Sequence, residues 1–355
     1  MVGRQVVIGI QRNREFEQDK PGAESSVTRL HSGFTHLPRS FLLTMLPDKS
    51  PEFRFIEQIR RLTGPTPGVV LGIGDDAAAV TFESGQPAVI TSDMLLEGVH
   101  FEFPQTSPRN VGRKAINVNF SDLAAMAASP RFAVVSVCLP ADPSGTSPVG
   151  PQLMEGILEA THAAGAAVIG GDTNAWDGPL IVSITAIGEA HPKGLVKRNG
   201  ARVGDWICVT GDLGGSLEGK HLAFTPRITE AAFLHESVAL NAMLDISDGL
   251  VADLYHILEE SACGAILDAR AIPISAAATA TGTEARTPLQ RALGDGEDFE
   301  LLFTLRAEEA DRLLARQDLP VRLSHIGTIV SEPGCQLREA NALTDLPRLG
   351  WSHDL

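Results

Sequence analysis

Aspartate recurs along this chain where apolar runs stop, each time beside glycine, serine or threonine. The segments are Gly74-Asp75-Asp76, Thr91-Ser92-Asp93, Ser121-Asp122, Gly170-Gly171-Asp172-Thr173, Asp245-Ile246-Ser247-Asp248-Gly249 and Gly294-Asp295-Gly296-Glu297-Asp298. Taken singly, each also suits a turn or a helix cap, and Asp248 ahead of an apolar helical pattern is a natural cap. Asp122 is different. It interrupts the Ala-rich run from Ala115 to Ala128, where aspartate lowers helix propensity and buries a charge unless something binds it. Together the set makes the hard oxygen shell that magnesium prefers. Magnesium takes one or two protein carboxylates and fills its octahedron with water and phosphate oxygens, so this many aspartates imply several ions around a polyphosphate. Bridging metals neutralise phosphate charge, which is the main demand of phosphoryl transfer.

The overall charge agrees with a metal-mediated reading. Against 44 Asp and Glu there are 29 Lys and Arg, a net charge of −15 over 355 residues. That balance argues against a nucleic-acid binder, whose affinity comes from clustered basic residues. A phosphorylated substrate needs a divalent cation between itself and the carboxylates. No stretch approaches the roughly 18 apolar residues of a membrane span, so no membrane partner is expected. Cys138, Cys208, Cys263 and Cys335 stand 55 to 72 residues apart with no CxxC pair, which predicts reduced core thiols and a cytoplasmic protein.

Residues 1–44 hold six basic and four acidic residues and show no lasting apolar period. They read as a disordered extension ahead of Met45. A helix is expected over 53–62, from apolar residues at 55, 56, 59 and 62. Strands are expected at Gly68–Leu71, Ala88–Thr91, Phe132–Leu139, Ala166–Ile169 and Ile181–Ile187. Between them, helices are expected from Ser107-Pro108 to about Ala128 and over Leu153–Ala164. This is an α/β pattern, placed in a domain over 45–190. A second domain, 191–355, opens with the strand Trp206–Thr210 and includes a helix over Leu250–Glu260 and a strand over Glu300–Leu305.

Two glycine motifs mislead. Gly72-Ile73-Gly74-Asp75-Asp76-Ala77 fits the dinucleotide fingerprint, but Asp75 and Asp76 fall where bare amides should meet a pyrophosphate. Gly214-Gly215-Ser216-Leu217-Glu218-Gly219-Lys220-His221 nearly fits a P-loop, but His221 replaces the magnesium-binding hydroxyl and Glu218 puts a carboxylate in the cradle. Both are expected to be ordinary turns. Gly170-Gly171 lets backbone approach an anion, and Lys197 and Arg198 can reach phosphate oxygens.

Several segments jointly resemble the thiamine-monophosphate kinase family, of the aminoimidazole-ribonucleotide-synthetase-like (PurM-like) superfamily. They are Gly72–Ala77, Thr91–Asp93 with Gly98–Phe101, Lys114–Met126, Ile169–Thr173, Arg198–Trp206, Asp245–Leu250 and Gly296–Asp298, in the family's order. Residues 1–44 have no counterpart, and 213–241 is shorter than the family's pattern. The resemblance implies a PurM-like two-domain α/β (α+β) fold, with an N-terminal sheet domain that dimerises and a C-terminal α/β domain. It implies ATP-dependent conversion of thiamine monophosphate to thiamine diphosphate by direct transfer, without a phosphoenzyme or an assigned general base. Carried over by position, Asp76, Thr91, Ser92, Asp93, Asp122, Asp172, Asp245 and Asp248 resemble magnesium ligands. Gly171, Asp172, Arg198 and Ser247 resemble ATP contacts, and His100, Glu297 and Trp351 resemble contacts to thiamine monophosphate. Alternatives are another ATP-using superfamily enzyme or a non-catalytic metal–nucleotide binding protein. The lack of any cysteine before Cys138, and the position of Cys335, argue against selenophosphate synthesis and the hydrogenase-maturation dehydratase.

Overall fold

Ser107 and Pro108 open the longest described helix as the sequence suggests. The Ser107 hydroxyl accepts from the Asn110 amide at 3.2 Å, and the proline takes a first-turn position that needs no N–H donor. This helix, α1 (Pro108–Ala125), ends three residues short of the expected Ala128, where Ala127 turns left-handed at φ 54°. The computed structural model describes residues 69–71, 74–81, 87–142, 144, 147–283, 286–316, 318–340 and 342–351, all within one unit, Pro47–Leu355. The extension 1–44 and the helix expected over 53–62 lie outside the described residues.

The first sheet contains β1 (Val69–Leu71), β2 (Ala78–Thr81), β3 (Pro87–Leu96), β4 (Ser129–Pro140), β5 (Ala167–Trp176) and β6 (Ile181–Glu189), in the order β1-β2-β3-β6-β4-β5. Its pairs are antiparallel except β4 with β5. The strands run longer than their apolar cores suggested, so Asp93 and Asp172 lie inside β3 and β5 rather than at strand ends. One face packs on α1 and on α2 (Val149–Ala163), burying Val135, Ile184, Ile116, Phe120, Leu153 and Ile157. The two helices meet backbone to backbone: a Cβ at Gly112 would lie 2.1 Å from the Leu153 carbonyl oxygen. The other face carries no described helix.

The second sheet contains β7 (Trp206–Thr210), β8 (Leu240–Asp245), β9 (Gly264–Asp268), β10 (Leu301–Leu305), β11 (Leu323–Val330), β12 (Gly334–Glu339) and β13 (Ala342–Asp345), ordered β13-β12-β9-β11-β7-β10-β8. A helix over Leu250–Ser261 covers one face, around Val209, Leu244, Leu254, Leu258 and Leu302. Helices over Ile228–Ser237 and Ala307–Arg316 cover the other, around Met243, Phe303 and Leu313. Ala124 and Ala127, at the end of α1, join this second core. Helix α1 therefore serves both sheets. No described helix is long and apolar enough to cross a membrane, and the four cysteines are free thiols, three of them buried.

Candidate active site

One stripe of α1 makes the joint between the sheets. Residues 114, 117, 118, 121 and 122 share a helix face by their spacing. Asn117 donates to the Phe224 carbonyl at 2.9 Å, Ser121 donates to Asp245 Oδ2, and Lys114 donates to Glu297 Oε1 at 2.6 Å. The same stripe carries Asp122, whose Oδ2 accepts from the Thr91 hydroxyl at 2.5 Å.

Carboxyl oxygens of Asp76, Asp122 and Asp245 lie within 4.8 Å of one another. Asp93 lies beside Asp122 in the same cluster. Burial raises Asp122 well above the usual carboxylate range, and the charges of Asp93, Asp245 and Asp76 push it further. Asp245 is pushed up to about 7 by burial and then by Asp76. Burial likewise raises Asp93, and Asp75 reaches about 7 through burial and the charge of Asp76. So many buried acids in contact repel one another, and a hard divalent cation relieves that repulsion. Asp76, Asp122 and Asp245 fit such an ion in donor chemistry and spacing. Arg198 donates to both Asp76 oxygens, Nε at 3.2 Å, and its amide donates to Asp75 Oδ2 at 3.3 Å. Burial opposes its charge, but Asp76 outweighs burial and keeps the guanidinium protonated.

A cavity of about 440 Å³ opens beside this cluster. Asp93, His100, Ser247, Asp248, Glu297 and Trp351 all line it. The turn carrying Glu297 is built on left-handed backbone, with Gly296 at φ 73° and Glu297 at φ 53°. It is held by Glu297 N–H donating to the Ser247 carbonyl at 2.6 Å. A Cβ at Gly296 would approach that carbonyl oxygen to 2.8 Å, so glycine is required there. The Trp351 amide donates to the Asp248 carbonyl at 2.9 Å, which fastens the tail to the same loop. His100 accepts the Leu96 amide at Nδ1, 3.0 Å, so its neutral ring carries the proton on Nε2.

One expected ligand, Asp172, stands apart from this group, and Ser92 borders the cavity with its side chain on the other face of β3 from Asp93. Side chains alternate along a strand, so Ser92 faces away from Thr91 and Asp93; it is exposed and bonded to Thr185 at 3.1 Å. Asp172 is exposed on the edge strand β5, its Oδ2 bonded to Asn174 at 2.7 Å. With β6 and β4 between β3 and β5, it lies about 14 Å across the sheet from Asp93 at ordinary strand spacing. Gly171 lies beside it, where a Cβ would approach the Val135 carbonyl oxygen to 1.9 Å.

The misleading motifs are also explained. Gly74–Ala77 joins the antiparallel strands β1 and β2, with no helix after it. The Gly214 and Gly215 amides, which a P-loop would aim at phosphate, donate instead to Asp298 and Asp295 at 2.8 to 3.0 Å. From the sequence, Lys114 and Glu300 have no assigned role, and Ser121 is only a hydroxyl beside Asp122. Glu300 is buried and accepts from Thr210, Lys220 and Arg227 at 2.7 to 2.8 Å.

The family model for AIR synthase related protein, N-terminal domain, matches residues 74–190. A thiamine-monophosphate kinase of Rhodopirellula baltica is 40% identical over 82% of this chain and 93% of its own length. That of Escherichia coli K12 is 34% identical over 80% of this chain and 92% of its own. The chain belongs to the thiamine-monophosphate kinase family. Among solved structures, AaThiL complexed with AMPPCP and TMP aligns with a TM-score of 0.73 at 29% identity, over 85% of this chain and 96% of that one. The Stenotrophomonas maltophilia thiamine-monophosphate kinase aligns at 0.65 and 33%, over 81% and 96%. The hydrogenase maturation protein HypE of E. coli, at 18% identity and 0.62, shares the fold.

Proposed function

We propose that this kinase transfers the terminal phosphoryl group of ATP to thiamine monophosphate, giving thiamine diphosphate and ADP. The observation that carries the reading is one cavity lined by Asp93, Ser247 and Asp248 together with His100, Glu297 and Trp351. Phosphate-handling and acceptor-handling groups thus face the same space. Thiamine has a cationic thiazolium and an aminopyrimidine; an aromatic face suits the cation, and a carboxylate suits a pyrimidine nitrogen. A relative's complex with AMPPCP and TMP supports the pairing of a nucleotide with a second ligand.

Magnesium would be held by Asp76, Asp122 and Asp245, with Asp93, Thr91 and Asp248 close by. When bound, it supplies charge neutralisation between carboxylates and phosphates. Asp172 and Gly171 are proposed as ATP-side groups on the neighbouring strand, and Ser92 as a ligand through its backbone. Arg198 and Ser247 face the nucleotide. The acceptor phosphate is already largely ionised near neutral pH, so the protein's work is to hold the two phosphates in line and exclude water. We assign no general base and no phosphoenzyme. The reading also includes a cytoplasmic homodimer, domains at 45–190 and 191–355, and a dispensable extension over 1–44. The homodimer would form through the uncovered face and edge of the first sheet. Support for it comes from Ile169 and Trp176 on β5, 57% and 43% exposed.

The test is ADP release from magnesium-ATP on addition of thiamine monophosphate, with thiamine diphosphate identified as product. ATP binding without turnover would favour a sensor, and turnover only with a different acceptor would favour another superfamily activity.

A further inference from the structure

We infer that Lys114 is a positioning residue for the acceptor subsite, orienting Glu297 and His100 from the helix between them; this rests on the functional reading above. Lys114 is 0% exposed, which is rare for lysine and needs a partner. Its ammonium group has two partners on separate walls of the cavity. It donates to the Glu297 carboxylate at 2.6 Å and to the His100 carbonyl at 3.0 Å. Neither wall is otherwise part of α1: His100 follows β3 in the first sheet, and Glu297 precedes β10 in the second.

The carboxylate has reason to need holding. Glu297 stands at φ 53°, and its side chain is 25% exposed, toward the cavity. Beside the apolar Val118, Leu217 and Phe299, the same lining carries the acids Asp93, Asp248 and Asp295, which can only repel a carboxylate. A carboxylate there has few groups to fix its direction. With Oε1 bound to Lys114, Oε2 is the oxygen aimed at a ligand. The charge matters as much as the direction. A carboxylate paired with an ammonium group at 2.6 Å favours an acceptor that carries a donor or a positive heterocycle. Burial lowers Lys114 from the usual lysine range, and Glu297 opposes that fall. The His221 ring also interacts electrostatically with both members of the pair. The pair therefore presents one directed negative atom to a cationic heteroaromatic phosphate, while leaving the nucleotide side untouched.

Steady-state kinetics on the full chain decide this, varying thiamine monophosphate at saturating ATP and then the reverse. Lys114→Met, which keeps length and apolar packing, should raise KM for thiamine monophosphate at least tenfold and keep KM for ATP within twofold. Adding Glu297→Gln to it should cause much less than the product of the two single effects. Equal rises in both KM values, a fall in kcat alone, or multiplicative effects in the double variant would overturn the inference. If Lys114→Met yields no folded protein, Lys114→Gln serves the same comparison, because it can still donate to the His100 carbonyl but carries no charge. Wild-type protein that shows no turnover of thiamine monophosphate overturns the functional reading and this inference with it. Wild-type turnover with an unmoved acceptor KM in the variant overturns the inference alone.

Discussion

Asp122 is the residue at which the metal reading is most directly tested. It is raised by burial and by three other aspartates, and asparagine preserves its shape and can still accept from Thr91. In Asp122→Asn, kcat at saturating magnesium should fall by about 10²-fold or more, as expected when a metal clamp carries most of the rate. Its melting temperature without metal should hold or rise, because one of several repelling charges is gone. Magnesium should then stabilise it less than it stabilises the wild type. Near-normal turnover would rule out the cluster as the metal site. Asp122 was legible in the sequence because an aspartate inside an Ala-rich helix has no cheap local explanation. Lys114 was not, since a lysine in a helix ordinarily lies at the surface with its charge in water. Its partner is 183 residues away, and only the fold brings the two together. Ser92 and Thr91 were indistinguishable by type; the pleat separates them.

At the scale of elements, the turn from Gly294 to Glu300 divides its four acids between two tasks. Asp295, Asp298 and Glu300 hold the Gly214–Ser216 loop and the Lys220 and Arg227 side chains, while Glu297, which lines the cavity with Asp295, binds Lys114. The sequence showed a glycine-rich acidic turn fit for a ligand, but it could not show which acids serve the turn itself. Asp298 is pushed up to about 6 from 3.8, chiefly by burial. A value above the unfolded one means that folding favours the protonated form. That contribution is complete below about pH 4, is lost as pH rises through about 6, and amounts to about 3 kcal/mol at most. Denaturant unfolding from pH 4 to pH 7 should therefore show the wild type losing stability relative to Asp298→Asn; a constant difference would contradict the assignment. Glu300 behaves oppositely. Burial pushes it up, but Arg227 and Lys220 outweigh burial and hold it below the usual range. Glu300→Gln leaves those cations without their carboxylate and should cost about 3–5 kcal/mol of unfolding free energy.

At the scale of the molecule, the first sheet has one face packed on helices and an edge, β5, whose residues are nearly all exposed. A long exposed edge carrying Ile169 and Trp176 invites a second copy. Ile169→Arg should shift sedimentation velocity from dimer to monomer; a wild type that sediments as a monomer would refute the interface. Strand order was not legible, because apolar runs mark strands without naming their neighbours. The α/β alternation was legible, since it depends only on local period. The bridging helix has one more consequence, for heredity rather than chemistry. Lys114 holds Glu297, and two turns later Ser121 donates to Asp245 while Asp122 accepts from Thr91. One residue gained or lost between them would rotate the later pair by about 100° relative to the first. No substitution elsewhere could restore both at once. The length from Lys114 to Asp122 is therefore expected to tolerate neither insertion nor deletion, whatever is substituted around it.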